Sequence, residues 1–113
     1  MLNIRLETVE SVTVGYLSGS LDAATASELK TKIDELVHSK KVDVVFNLSE
    51  LELIDSSGVG AIVSLFKRVR TLQGDVKIAE IKGQPAEIFK LLRLDKAFQI
   101  FGTTEEAIAK FRS

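Results

Sequence analysis

Apolar and polar residues alternate along the first part of the chain. Leu2, Ile4 and Leu6 are separated by polar side chains, and the alternation resumes after residues 8–11 with Val12, Val14 and Tyr16. A period of two residues is typical of a strand with one buried face. Two such runs joined by a short polar segment predict an antiparallel hairpin.

The period then changes to three and four residues, which predicts a helix over about residues 22–39. Thr25 and Glu28 have the spacing of a capping box at its start, and Asp22 is a second candidate for the N-cap. The apolar stripe of this helix consists of Ala26, Leu29, Ile33, Leu36 and Val37.

The middle of the chain predicts a strand, a helix and another strand. Residues 42–48 are almost continuously apolar β-formers, as in a strand that is buried on both faces. The helix is expected from Ser56 to Gly74, with Gly74 in the glycine position that follows a helix. Its predicted inner face is Val59, Ile62, Val63, Phe66, Val69 and Leu72, and the next strand covers residues 76–79.

The last third predicts two helices and a short edge strand. Gln84 and Pro85 begin a helix with Ile88, Leu91 and Leu92 on its inner face. Residues 98–101 form the strand, and Thr103 with Glu106 predicts a capping box for the final helix. Ala107, Ile108 and Phe111 are its expected core residues.

This order of elements predicts an α/β fold. We expect a single domain over residues 1–113, with a mixed sheet of four or five strands, an N-terminal antiparallel hairpin and about four helices packed on the sheet. The strand–helix–strand units require right-handed crossover connections.

Composition removes several classes of function. The chain has no cysteine and one histidine, His38, which excludes thiolate metal sites and cysteine nucleophiles, and we expect no metal and no cofactor. Fifteen basic and sixteen acidic residues give a formal charge of −1, so we expect no direct binding to nucleic acid. Neither a signal peptide nor a membrane span is apparent, which favours a cytoplasmic protein with no membrane partner.

The most informative segment, residues 53–60, lies between the buried strand and the second predicted helix. Asp55 or Ser56 is expected to cap this helix, and the glycines are expected to allow a tight turn. Gly60 is not explained in this way, because glycine inside a helix costs about 1 kcal/mol relative to alanine. Its presence suggests that another molecule approaches the backbone closely.

Familiar catalytic and nucleotide-binding patterns fit this segment poorly. Gly58 and Gly60 supply two positions of a dinucleotide-binding G-x-G-x-x-G, but Val63 occupies the third. A phosphate loop would need a following G-K-[ST], and a serine hydrolase would need G-x-S-x-G. A phosphoserine fits better, because the free N–H groups and the positive dipole of a helix N-terminus favour a phosphoryl group.

The sequence Asp55-Ser56-Ser57-Gly58-Val59-Gly60 resembles the D-S-[ST]-G-[LV]-G signature of bacterial anti-sigma factor antagonists, in the STAS domain family. The upstream segment Gly19-Ser20-Leu21-Asp22 is similar to the G-x-[LI]-D turn of that family. The resemblance extends over residues 1–113 in the same order of elements, and Val59 in place of leucine is a mild departure.

The resemblance implies a protein-binding module and not an enzyme. Ser56 corresponds to the phosphate acceptor, with Ser57 the less favoured candidate. The unphosphorylated form would bind an anti-sigma factor that is also a serine kinase with bound ATP, which releases a sigma factor. Phosphorylation would end this binding, and a PP2C-type phosphatase would restore it. The alternative within the family is a STAS adaptor in a signalling scaffold or a transporter-associated complex.

The resemblance also implies where the partner binds. We expect the free protein to be monomeric and its partner-binding residues to surround the two serines. Asp22 and Asp55 should lie at the ends of neighbouring strands beside the serine loop, where they orient Ser56 and contact the kinase. The expected partner-binding set is Asp22, Asp55, Ser56, Ser57, Gly58 and Gly60.

Overall fold

A computed structural model, which describes residues 1–112, has one mixed sheet of five strands in sequential order and five helices. The first two strands form the predicted antiparallel hairpin, and every later pairing in the sheet is parallel. The elements in chain order are β1 (Leu2–Val9), β2 (Val12–Leu21), α1 (Ala26–His38), β3 (Asp43–Ile54), α2 (Ser56–Thr71), β4 (Asp75–Ala79), α3 (Gly83–Leu91), α4 (Leu94–Ala97), β5 (Gln99–Phe101) and α5 (Thr104–Arg112).

The central strand β3 is buried on both faces, as its continuous apolar run predicts. Val44 and Phe46 belong to the larger core, which includes apolar side chains of α1, α2 and α3. Val45 points to the opposite face and joins the smaller core under α5, with Ala107 and Ile108. The helices therefore cover both faces of the sheet, which is the arrangement expected for strand–helix–strand units.

The end of α3 differs from the prediction. Leu91 is 75% exposed and Leu92 is 48% exposed, whereas Phe89 is only 1% exposed. The helix ends at Leu91, and Arg93, with φ of 59°, turns the chain into the four-residue helix α4. The two leucines therefore leave the core, and the unpredicted α4 raises the helix count above four. Leu72, another predicted core residue, is also 48% exposed.

The end of α2 reaches its turn in a different way from that predicted. The helix ends at Thr71, and the left-handed residue is Gln73, with φ of 67°, instead of Gly74. The Gly74 N–H donates to the Val69 carbonyl at 2.7 Å, which closes the turn. Position 74 requires glycine for steric reasons, because a Cβ there would lie 2.1 Å from the Val42 carbonyl oxygen.

The capping box of α5 is confirmed. The Glu106 N–H donates to the Thr103 hydroxyl oxygen, and the Thr103 N–H donates to the Glu106 carboxylate, each at 3.1 Å. The two residues thus satisfy backbone donors that the first turn of the helix leaves free.

The strand β3 is longer than predicted, and its extra residues place the serine loop. β4 pairs with β3 only as far as Asn47 opposite Ala79. Beyond that point β3 continues beside β2 alone, through Ile54 opposite Leu21. Because the two strands are parallel, the loops that follow Leu21 and Ile54 meet at one edge of the sheet.

Candidate functional site

Two neighbouring loops, residues 22–25 and the start of α2, form the candidate site. The Asp55 N–H donates to the Leu21 carbonyl at 3.1 Å, which joins the two strand ends directly. We use the name switch loop for residues 55–60, which comprise the N-cap and the first turn of α2. The parallel register of β2 and β3 therefore brings together residues more than thirty positions apart in sequence.

Asp22 organises the first of these loops. Its carboxylate accepts from the Ala24 N–H at 3.0 Å and from the Thr25 N–H at 3.1 Å. The predicted capping box of Thr25 and Glu28 is wrong, because the Thr25 side chain makes no cap bond to α1. Its hydroxyl instead accepts from the Asp22 N–H at 3.0 Å and donates to the Ser20 carbonyl at 2.8 Å. α1 begins at Ala26, so the expected helix start near residue 22 is instead an Asp-stabilised turn.

Asp55 caps α2 and also links the two loops. One carboxylate oxygen accepts from the Gly58 N–H at 3.1 Å, and the other accepts from the Ala23 N–H at 3.2 Å. Of the two capping candidates, Asp55 and Ser56, the structure thus selects Asp55. The carboxylate uses both oxygens to hold the backbone on either side of the site.

Ser56 and Ser57 are exposed and occupy the first two positions of α2. Backbone N–H groups at these positions have no partner inside a helix. Both side chains are therefore accessible beside the positive end of the helix dipole. Their surroundings differ, because Ser57 lines the groove between α1 and α2, whereas Ser56 is not among the residues that line it.

Gly58 is buried under the switch loop, where it allows α2 to approach the end of β2. A Cβ at this position would lie 2.5 Å from the Leu21 carbonyl oxygen and 2.9 Å from the Ile54 Cγ1 atom. The glycine permits close packing of the helix, and its φ is not in the left-handed region. Gly58 therefore lies beneath the surface that the neighbouring serines form.

Gly60 has the opposite environment. It is exposed, and a Cβ added there would meet nothing within 4 Å. Packing within the domain does not require this glycine, in contrast to Gly58. Its bare backbone faces a shallow groove of about 450 Å³ lined by Ala23, Ala26, Ser27, Lys30, Ser57, Gly60, Ala61 and Ser64.

The groove is formed mainly by short side chains from the N-terminal halves of α1 and α2. Of the described residues that line it, Lys30 alone is charged. Farther along the same helices, Arg68 and Asp34 form an ion pair with an N–O distance of 2.7 Å. The groove thus offers a partner close access to two helix backbones and one cation.

Sequence reasoning missed two residues of this region, Lys30 and Gln84. Lys30 is one turn beyond Ala26, so a helical projection could have placed it beside the loop. Gln84 binds the backbone of Ile54 from 30 residues away. No local pattern around Gln84 signals this contact.

Residues 1–112 contain no group of three or more His, Cys, Asp or Glu side chains placed to hold a metal ion. In the same range no helix is long and apolar enough to cross a membrane.

The five-stranded sheet and the exposed serines at the start of α2 define a small α/β domain of the STAS type. The chain belongs to the STAS domain family, whose model matches residues 3–107. The anti-sigma F factor antagonist of Paenibacillus polymyxa is 24% identical over 110 residues, which cover 96% of this chain and 94% of that protein.

Two solved structures share the fold. An anti-sigma factor antagonist from Mycobacterium paratuberculosis has a TM-score of 0.90 and 24% identity, and the match covers 100% of this chain and 96% of that one. The Bacillus cell fate determinant SpoIIAA, in its phosphorylated form, has a TM-score of 0.78 and 22% identity, covering 96% of this chain and 99% of that one. At these identities the likeness establishes the fold.

Proposed function

We propose that this protein is an anti-sigma factor antagonist whose switch loop binds an anti-sigma factor. Its membership of the STAS family and the names of its relatives support this role. The observation that carries the proposal is the exposed Ser56 at the start of α2, beside the helix-capping carboxylate of Asp55. The protein acts as a binding module, and it needs no catalytic group of its own.

Ser56 is the proposed phosphate acceptor. A phosphoryl group adds about −1.5 to −2 charges and three acceptor oxygens. The start of a helix accommodates such an anion, so the backbone of the domain should change little. Because Asp55 already places a carboxylate at the neighbouring position, the added charge makes this surface strongly acidic.

The partner surface consists of the exposed parts of the two loops and the groove beside them. The loop part of this surface contains Asp22, Asp55, Ser56 and Ser57, and the groove contains Gly60. Gly58 supports this surface from beneath. In the unphosphorylated state the surface binds the anti-sigma factor and thereby releases a sigma factor.

The same anti-sigma factor is proposed to be the serine kinase, with bound ATP, that phosphorylates Ser56. The kinase supplies the group that accepts the hydroxyl proton, so Asp55 has only to hold the loop. A phosphate on Ser56 must be desolvated beside Asp55 when the partner binds, which weakens binding. A PP2C-type phosphatase removes the phosphate and restores the binding form.

A pull-down from the source organism tests this proposal, with the wild-type chain, Ser56→Ala and Ser56→Asp as baits. We expect wild type and Ser56→Ala to capture an anti-sigma factor and Ser56→Asp to capture much less. In a direct titration, phosphorylation should weaken binding by about tenfold or more, equivalent to about 1.4 kcal/mol. Ser57→Ala, which changes the adjacent exposed hydroxyl, is the matched control.

Mass spectrometry after incubation with the captured kinase and ATP identifies the acceptor. Phosphate on Ser56, and none on the Ser56→Ala chain, is the expected result. Phosphate only on Ser57 would refute the site assignment. Capture of scaffold or transporter components without an anti-sigma factor would refute sigma control and favour the adaptor alternative.

A further inference from the structure

The end of β3 that carries the switch loop lacks a strand neighbour on one side. β4 stops opposite Asn47, and β3 continues to Ile54 beside β2 alone. The pairing with β2 is itself irregular, with register shifts between Tyr16 and Ser18 and between Gly19 and Ser20. Backbone groups of β3 that face away from β2 must therefore find partners other than a strand.

One side chain supplies these partners at Ile54. The Ile54 N–H donates to the Gln84 Oε1 atom at 2.9 Å, and the Gln84 Nε2 group donates to the Ile54 carbonyl at 3.0 Å. Only one orientation of the amide satisfies both bonds, because its oxygen must accept from the Ile54 N–H and its NH2 group must donate to the Ile54 carbonyl. Gln84 thus replaces the missing strand at the residue that directly precedes Asp55.

We propose that Gln84 is a positioning residue for Ser56, an inference that rests on the proposed phosphorylation of this serine. Ile54 is held by Gln84 on one side, while the next residue, Asp55, is held by Leu21 on the other. Together these bonds fix the direction in which the chain enters α2. The position of the Ser56 hydroxyl therefore depends on an amide in α3.

The support from Gln84 is separable from the packing of α3. Pro85 and Phe89 are buried and hold the helix against the sheet independently of the amide. Loss of the two hydrogen bonds should therefore loosen the end of β3 without displacing α3. A loosened acceptor spends less time in the geometry needed for phosphoryl transfer, which lowers kcat more than it raises KM.

Hydrogen exchange followed by NMR tests the support without any partner protein. Gln84→Met keeps the length of the side chain and removes both hydrogen bonds, so the Ile54 amide should exchange about tenfold faster. Gln99→Met is the matched control, because Gln99 accepts a hydrogen bond from Lys77 at the opposite end of the sheet. Unchanged Ile54 exchange in Gln84→Met would overturn the proposal.

Phosphorylation kinetics test the consequence, with ATP and the kinase captured by the wild-type chain. We expect kcat for Gln84→Met to fall by about fivefold to tenfold with KM nearly unchanged, and Gln99→Met to match wild type. Gln84→Glu keeps an acceptor for the Ile54 N–H but, when ionised, has no donor for the Ile54 carbonyl. Because its second oxygen would face the Ile54 carbonyl oxygen, its kcat should fall at least as far as that of Gln84→Met.

Several results would overturn the inference. A kcat for Gln84→Met and Gln84→Glu equal to wild type would show that Gln84 does not position the acceptor. An equal loss in Gln99→Met, or a change confined to KM, would indicate a general effect on the domain or a direct contact with the kinase. A wild-type chain that accepts no phosphate would refute the proposed function itself, whatever the exchange rates show.

Discussion

Gly58 and Gly60 lie two residues apart in α2, and alanine at these positions should have opposite effects on stability. Alanine in place of glycine in a helix interior gains up to about 1 kcal/mol, because glycine loses more backbone entropy on folding. At Gly60 nothing opposes this gain, since a Cβ would meet no atom within 4 Å. Gly60→Ala should therefore stabilise the domain.

At Gly58 the added methyl group would clash with atoms of the core. The Cβ would lie 2.5 Å from the Leu21 carbonyl oxygen, which already accepts the Asp55 N–H, and 2.7 Å from the Leu21 Cγ atom. Leu21 is fully buried and cannot move aside freely. Overpacking of this kind costs about 1–3 kcal/mol. The gain in helix propensity is smaller in the first turn, so we expect a net loss of about 1–2 kcal/mol.

Urea unfolding and thermal unfolding, followed by circular dichroism, measure both effects. A loss of about 1 kcal/mol lowers the melting temperature of a domain near this size by about 4 °C or more. Gly58→Ala should therefore melt below wild type, and Gly60→Ala above it. A Gly58→Ala chain as stable as wild type would refute the close approach of α2 to β2 on which the position of the switch loop depends.

Four further substitutions test the cap of α2, the environment of Asp43 and the packing of α3. Asp55→Ala should cost about 1 kcal/mol through the lost N-cap, seen as a lower urea midpoint; an unchanged midpoint would refute the cap. Burial and, next, the nearby Asp75 raise the pKa of Asp43, so its contribution to stability falls as the pH rises through that pKa. Asp43→Asn should therefore raise the urea midpoint at neutral pH, with a smaller gain near about pH 3.5, and an equal gain at both pH values would contradict this. Leu91→Gln should change stability by less than about 0.5 kcal/mol, and Phe89→Ala should cost about 3–5 kcal/mol; the reverse order would mean that Leu91 is the core residue.

The sequence was a good guide to the fold where one physical pattern dominated. The continuous apolar run around Val44 and Phe46 predicted the central strand, because a strand that is buried on both faces has apolar residues at successive positions. The same reasoning could not predict how far β3 extends. Its last residues include Glu50 and Glu52, which are exposed and lie beyond the part of β3 that pairs with β4.

Periodicity failed where the chain changes direction. Leu91 continues the apolar spacing of α3, but the helix ends there, and the left-handed Arg93 takes the leucines away from the sheet. The choice between Asp22 and Thr25 also depended on geometry beyond the local sequence. The Thr25 hydroxyl accepts from the Asp22 N–H and donates to the Ser20 carbonyl, and the Asp22 carboxylate holds the turn.

The switch loop could be found from sequence, but its supports could not. Asp55 was placed at the start of the helix by its residue type, since aspartate is a favoured N-cap. Its second bond, to the Ala23 N–H, depends on the parallel register of β2 and β3. The contact between Gln84 and Ile54 likewise arises only when α3 packs beside the end of β3.

The link between Asp55 and Ala23 has a consequence for the order in which the protein matures. Ala23 precedes α1 and Asp55 follows β3 in the chain, so their hydrogen bond forms only when β2 and β3 have paired. During synthesis, Ser56 emerges from the ribosome before the downstream residue Gln84 does. A nascent or misfolded chain therefore displays the serine without the surrounding surface. The finished surface around Ser56 thus requires that β2, β3 and α3 have assembled.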